Sequence, residues 1–169
     1  MKKIVLYIAA FTLILSCSTD DGNPCALPEG SSVDVVTQSI YIELVDSNGA
    51  NLIANGTYNG LDITAEKDGF IIRPVVFDET QFLSLPDSVK DIIVLQLFGD
   101  EGENTWLLNL NDNETDELVI NLKHGVPDQC GLFLLEAQAI SYDGVSQDIV
   151  PFAVFESDPL INYKITVVK

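Results

Sequence analysis

Seven residues, Ser39-Ile40-Tyr41-Ile42-Glu43-Leu44-Val45, put Ile40, Ile42 and Leu44 on one side of an extended chain and Tyr41 and Glu43 on the other. Side chains change faces at every residue of a strand, whereas a helix repeats about every 3.6, so this period selects a strand with one buried face. The pattern recurs. Thr105 to Asn111 sets Trp106, Leu108 and Leu110 against Thr105, Leu107 and Asn109; Leu118, Ile120 and Leu122 keep the spacing, and Tyr163, Ile165 and Val167 alternate with Lys164 and Thr166. A chain patterned this way buries its apolar stripes by packing sheet on sheet.

Turn residues divide the strands. Asp46-Ser47-Asn48-Gly49 predicts a hairpin after the first run, and Glu66-Lys67-Asp68-Gly69 predicts a second, between Leu61 to Ala65 and Phe70 to Phe77. From Asp91 to Phe98 nearly every residue is apolar, and the β-branched Ile92-Ile93-Val94 favours a strand buried on both faces over a short helix. Leu132 to Ser141 has some helical propensity, but Gly131 before it and Tyr142-Asp143-Gly144 after it favour a strand and hairpin. Asn162 to Val168 closes the series. About eight short strands with turns between them and no long amphipathic helix predict an all-β fold, a single antiparallel β-sandwich. Immunoglobulin-like topology is the leading expectation, and a transthyretin-like arrangement or a jelly roll would produce the same string.

Eight basic and 26 acidic residues give a net charge of -18, which becomes -20 once Lys2 and Lys3 leave with the leader described below. A body this acidic repels nucleic acid and anionic headgroups, so no nucleic-acid partner is expected. It favours solubility, loosely held divalent cations and basic partners; the plainer reading is solvated surface on an exported protein. Apolar residues make up 47%, enough for a globular core despite the charge.

The N-terminus carries an address. Met1-Lys2-Lys3 is basic, and Ile4 to Leu15 follows as twelve residues without charge. As a helix they span about 18 Å against a hydrocarbon core of ~30 Å, too short to cross comfortably and suited to the apolar core of a signal peptide. Ile14-Leu15-Ser16-Cys17 then resembles a bacterial lipobox, with Leu15 larger than the commonest residue at its position. The resemblance implies cleavage after residue 16 and acylation of Cys17. Several acyl chains, at ~0.8 kcal/mol per buried methylene, anchor a protein nearly irreversibly. The alternative is an ordinary signal peptide with an incidental cysteine.

Residues 17–32 read as the lipidated cysteine and a flexible tether, and residues 33–169 as the sandwich domain. Asp20 and Asp21, just behind the lipobox, resemble the surface-export signal of Bacteroidota lipoproteins. Cys25 and Cys130 form an even pair in a compartment that permits disulfides. A bridge between them would close a loop of about 105 residues, with a chain-entropy contribution of at most ~4 to 5 kcal/mol. Two unpaired thiols are the alternative.

Catalytic patterns are sparse. No G-x-S-x-G elbow occurs, and the sole histidine, His124, sits at a strand end beside Gly125. A pairing of His124 with Cys130 lacks a family signature and competes with the disulfide. No C-x-x-C occurs, so no metal site is expected from cysteines. The acid clusters Asp100-Glu101-Gly102-Glu103-Asn104 and Asp112-Asn113-Glu114-Thr115-Asp116-Glu117 are read as loops. Either could bind calcium weakly, but Lys123 stands where a calcium loop beginning at Asp112 needs its bidentate glutamate. Trp106 could stack on a sugar, yet its strand companions Leu108 and Leu110 assign it to the core. Asp87-Ser88-Val89 resembles the short motif that Bacteroidota O-glycosylate, which would make Ser88 a modification site.

The order of Val45-Asp46-Ser47-Asn48-Gly49, Glu114-Thr115-Asp116-Glu117-Leu118, Cys130, Tyr142-Asp143-Gly144 and the terminal Ile165 to Lys169 is similar to that of small Bacteroidota lipoproteins of flavobacterial type, single β-sandwich domains behind a lipobox. The resemblance covers most of the mature chain through short, turn-like motifs. It implies a fold and an address and brings no catalytic residue and no cofactor. The expected function is a non-enzymatic binding or interaction module, anchored by N-terminal acyl chains to the outer membrane and displayed at the cell surface, toward a protein or glycan partner. Display on the periplasmic face is the alternative location. A structural or envelope-assembly subunit pairing through an edge strand is the alternative role, and an enzyme using loop carboxylates ranks last.

Overall fold

A computed structural model describes residues 38–77, 86–125, 135–154 and 162–169. The lipobox with Cys17, the tether with Asp20 and Asp21, and both Cys25 and Cys130 lie outside the described residues, as does the start of the Leu132 to Ser141 run. Eleven strands occur among the described residues, against the eight or so expected: β1 (Ser39–Val45), β2 (Thr64–Lys67), β3 (Phe70–Ile72), β4 (Val75–Val76), β5 (Ile93–Gln96), β6 (Gly102–Asn111), β7 (Glu114–His124), β8 (Leu135–Tyr142), β9 (Val145–Gln147), β10 (Val150–Phe152) and β11 (Asn162–Val168). They form a β-sandwich of two sheets, ordered β10-β11-β1-β5-β4 and β3-β2-β6-β7-β8-β9. The extra strands are short. They arise because Phe70 to Phe77 breaks at Arg73-Pro74 and the chain after Asp143-Gly144 breaks at Asp148-Ile149, each time passing from one sheet to the other. Two such crossings close both flanks of the sandwich, a corner device of packed sheets.

Alternation governs the core. Ile40, Ile42 and Leu44 of β1 face Trp106, Leu108 and Leu110 of β6 and Leu118 and Ile120 of β7 in one cluster, all of them at 0% exposure. The expectation for Asp91 to Phe98 holds on both faces: Ile93 and Leu95 enter this core, while Ile92 and Val94 join Tyr41, Val89, Phe77 and Phe152 in a second cluster on the outer face. A 3-10 turn, Asp87–Val89, supplies Val89 to that outer cluster.

Two expectations are corrected. The turn at Asp46 forms, with the Asp46 carboxylate accepting from the amides of Asn48 at 2.8 Å and Ala50 at 2.9 Å and Gly49 at φ +83°, but no hairpin follows. β11 takes one edge of β1 from Ile40 to Val45 and β5 takes the other from Ser39 to Ile42, so the returning chain finds room only at the end of the strand and makes the single bridge Val45 to Asn51. It then folds as a loop that drops Leu52, Ile53, Tyr58 and Ile63 into the core. The strand pairings among the described residues are antiparallel, as expected, except that β1 and β11 run parallel from Ile40 with Tyr163 to Val45 with Val168. Finally, the two acid clusters are largely strand: Gly102 to Asn104 belongs to β6 and Glu114 to Glu117 to β7, leaving Asp112-Asn113 as the turn between them. The second hairpin does form, with a tight Asp68-Gly69 turn in which both residues have positive φ, the geometry that matches strand twist.

Candidate functional site

The strand assignment of Glu114 to Glu117 gives this acid run its chemistry. Asp116 pairs with Leu108 across the β6–β7 ladder and lies in phase with Leu118 and Ile120, so its carboxylate points into the sandwich and is 5% exposed. A buried carboxylate is tolerated only with charge and hydrogen-bond partners. Two elements provide them. Tyr142, at the end of β8 and opposite Leu118, donates its hydroxyl to Asp116 Oδ2. Lys169 follows β11, its backbone N–H donating to the Val45 carbonyl at 2.9 Å, and its ammonium turns inward to donate to Asp116 Oδ2. The same ammonium stands 2.7 Å from Glu114 Oε1 and 5.8 Å from the centre of the Tyr142 ring. Glu114 in turn accepts from the hydroxyl of Tyr58, at 3.0 Å to Oε1 and 3.1 Å to Oε2.

The groups therefore form one chain: Tyr58, Glu114, Lys169, Asp116, Tyr142. The hydrogen bond from Lys169 holds Glu114 below the usual carboxylate range, against the opposing effect of burial. Burial is the largest influence on Lys169 and pulls its pKa down, but hydrogen bonds to Asp116 and Glu114 outweigh it and the net shift is upward. Tyr142 is pushed far up, first by burial and then by its bond to Asp116; Tyr58 rises for the same two kinds of reason, with Glu114 as its partner.

Beside this chain lies a concavity of about 310 Å³, walled by Ile53, Tyr58, Asn59, Leu61, Val76 and Asp91. Gly60 is needed in its floor, since a Cβ there would stand 2.6 Å from Cγ1 of Val76. Leu61 is 59% exposed at the rim. A second hollow, about 430 Å³, runs along the β9–β10 crossing past Gln147, Asp148, Lys164 and Thr166. There Lys164 is paired with Glu43 at 3.0 Å.

Of the residues singled out from sequence, Ser88 is exposed on the 3-10 turn, where its neighbour Asp87 pairs with Lys90 at 2.7 Å. His124 is half exposed at the end of β7, with Nδ1 3.4 Å from Glu101 Oε1 and its backbone N–H donating to the same oxygen at 2.9 Å. Trp106 is fully buried and in edge contact with Phe98, a core residue as expected. No group of three or more metal-ligating side chains occurs among the described residues. The chain from Tyr58 to Tyr142 was missed from sequence because positions 58, 114, 116, 142 and 169 meet only through strand register. One signal was present: Asp116 falls in step with Leu118, Ile120 and Leu122, where an acid marks a buried charge. No protein-family model matches the chain, and no curated protein or solved structure matches it.

Proposed function

We propose that this chain is a lipid-anchored lipoprotein of the outer membrane whose sandwich faces the cell exterior and acts by binding, without a catalytic reaction. Acyl chains on Cys17 hold it to the membrane, Asp20 and Asp21 direct it outward, residues 18–32 give it reach, and a Cys25–Cys130 bridge fixes the start of the domain. The lipobox Ile14-Leu15-Ser16-Cys17 supports the anchor. The observation that carries the binding reading is the concavity under the 51–63 loop, where exposed Asn59 and Leu61 stand over a floor fixed by Gly60 and Tyr58 on a rigid sandwich. Loops positioned by a scaffold are where recognition is usually built. The partner is a protein or a glycan.

One observation favours edge pairing as a second reading. Phe70 and Ile71 of the edge strand β3 are 73% and 69% exposed. Against it, β3 is three residues long and is stopped by Pro74, while the opposite sheet's edge strand β10 carries Pro151. Short, proline-bearing edges resist strand addition.

Fatty-acid labelling of cells should tag the wild-type protein and leave Cys17→Ala untagged; label persisting in the variant overturns the anchor. Protease added to intact cells should digest the domain, and protection would put it on the periplasmic face. Affinity capture from such cells should recover a partner with wild type and lose it with Leu61→Asp. Equal recovery by both would move the contact away from the concavity.

A further inference from the structure

We propose that Lys169 and Asp116 are joined by an intramolecular amide bond formed by the fold itself, with Glu114 as the proton relay. The residues are placed for it. The Lys169 ammonium contacts the Asp116 carboxylate directly, Asp116 is 5% exposed, and the lysine side chain is 17% exposed. Glu114 Oε1 stands 2.7 Å from the same nitrogen, and the Tyr142 hydroxyl donates to Asp116 Oδ2, the oxygen that takes the lysine's proton and departs, where it stabilises charge that builds as the Cγ–O bond breaks. Tyr58 orients the Glu114 carboxylate, its hydroxyl shared between both carboxylate oxygens.

The ammonium and carboxylate already carry between them every proton the reaction uses. Passing one proton across the contact gives a neutral amine and a carboxylic acid with no change in total charge; burial reduces the cost of this transfer, while the bonds to Asp116 and Glu114 keep the ammonium as the resting form of Lys169. Nζ then attacks Cγ of Asp116. The Nζ–Cγ bond forms as Glu114 takes a proton from the nitrogen; the Cγ–OH bond breaks as Glu114 returns that proton to the departing oxygen, which leaves as water. Glu114 ends as it began, nothing is oxidised or reduced, and no co-reactant enters. Holding the groups in contact supplies the orientation that makes such a condensation feasible.

The consequence is mechanical. Asp116 lies in the sheet of β6 to β9 and Lys169 follows β11 in the other, so the bond would staple the two sheets together through the last strand. The test is a peptide map of the purified, unfolded full-length chain. Trypsin should yield Asp91 to Lys123 and Ile165 to Lys169 as one branched species, lighter than the two peptides together by one water. Glu114→Gln should leave the two peptides separate in a protein that still folds, and Lys169→Arg, which keeps the positive charge, should do the same. Separate peptides from the wild-type chain overturn the proposal whatever the variants do, as does a branched species that survives in Lys169→Arg.

Discussion

Two lysines reach into this sandwich near opposite ends of β6, and they are kept there by different means. Lys67, at the Asp68-Gly69 turn, is 8% exposed, with its ammonium 2.6 Å from the Asp68 carboxylate and 5.9 Å from the centres of both the Phe98 and Trp106 rings. Those rings meet edge to face at 4.5 Å. Lys169, at the other end, sits between the buried Asp116 and the half-buried Glu114. The difference lies in the acids. Asp68 is 75% exposed and remains solvated if its partner goes, so Lys67 is held mainly by its aliphatic stem and the aromatic faces. Asp116 has no comparable access to water, so at the Lys169 end each group depends on the others.

That contrast makes the two ends respond unequally to the same kind of change. Trp106→Ala should have the largest effect, about 3 to 5 kcal/mol, because a fully buried ring leaves a void under Lys67 and between the sheets. Urea unfolding measures it; a loss under ~1 kcal/mol would mean that the aromatic wall is not what holds Lys67. Asp116→Ala should cost about 3 kcal/mol, since it strands the Lys169 ammonium and the Tyr142 hydroxyl in the interior. Asp68→Ala, the matching change at the other lysine, should stay within ~1 kcal/mol. Equal losses from these two aspartates would erase the distinction between the ends. Tyr142→Phe removes one donor to Asp116 and keeps the ring, so a loss of about 1 to 2 kcal/mol is expected from the same unfolding measurement.

How far the fold could be read from sequence follows the same division. Where a residue's fate depends on its own neighbours, the pattern was enough: β1 and β11 begin and end at the expected residues, and the double-sided burial of Ile92 to Leu95 follows from an unbroken apolar run. Where it depends on what lies alongside in space, the pattern was silent. Asp46-Ser47-Asn48-Gly49 has good hairpin chemistry, but a hairpin also needs a free edge on β1, and β11 fills one edge from Ile40 to Val45 while β5 fills the other from Ser39 to Ile42, leaving room only for the bridge Val45 to Asn51. The acid run at 112–117 looks like a loop because acids are rarely inward, and only the register with Leu108 shows that Asp116 is. Likewise the Lys67 cage joins residues 67, 98 and 106, which no local spacing connects.

The finest distinction between the two ends concerns the ionisation of Lys169 at alkaline pH. As an ammonium, its folded pKa stands above the ordinary value of 10.5, because the bonds to Asp116 and Glu114 outweigh burial. A raised lysine pKa contributes stability that is fully present below the ordinary value and is lost as the pH climbs through the folded one. The stability of wild type minus that of Lys169→Met should therefore be level through neutral pH and fall in the alkaline range. Once Lys169 is condensed with Asp116, its nitrogen is an amide and has nothing to titrate there, so the same difference should stay level throughout. Glu114 gives the acid side of the comparison: its lowered pKa contributes stability that is present above 4.5 and disappears as the pH falls through the folded value. Much of that shift comes from its bond to the Lys169 ammonium, so the acid loss should be shallower in Lys169→Met, and shallower in a wild-type chain whose lysine has already become an amide. Denaturant titrations across pH on the two proteins read both limbs, and an alkaline fall in a chain that also yields the branched peptide would show that only part of the population carries the bond.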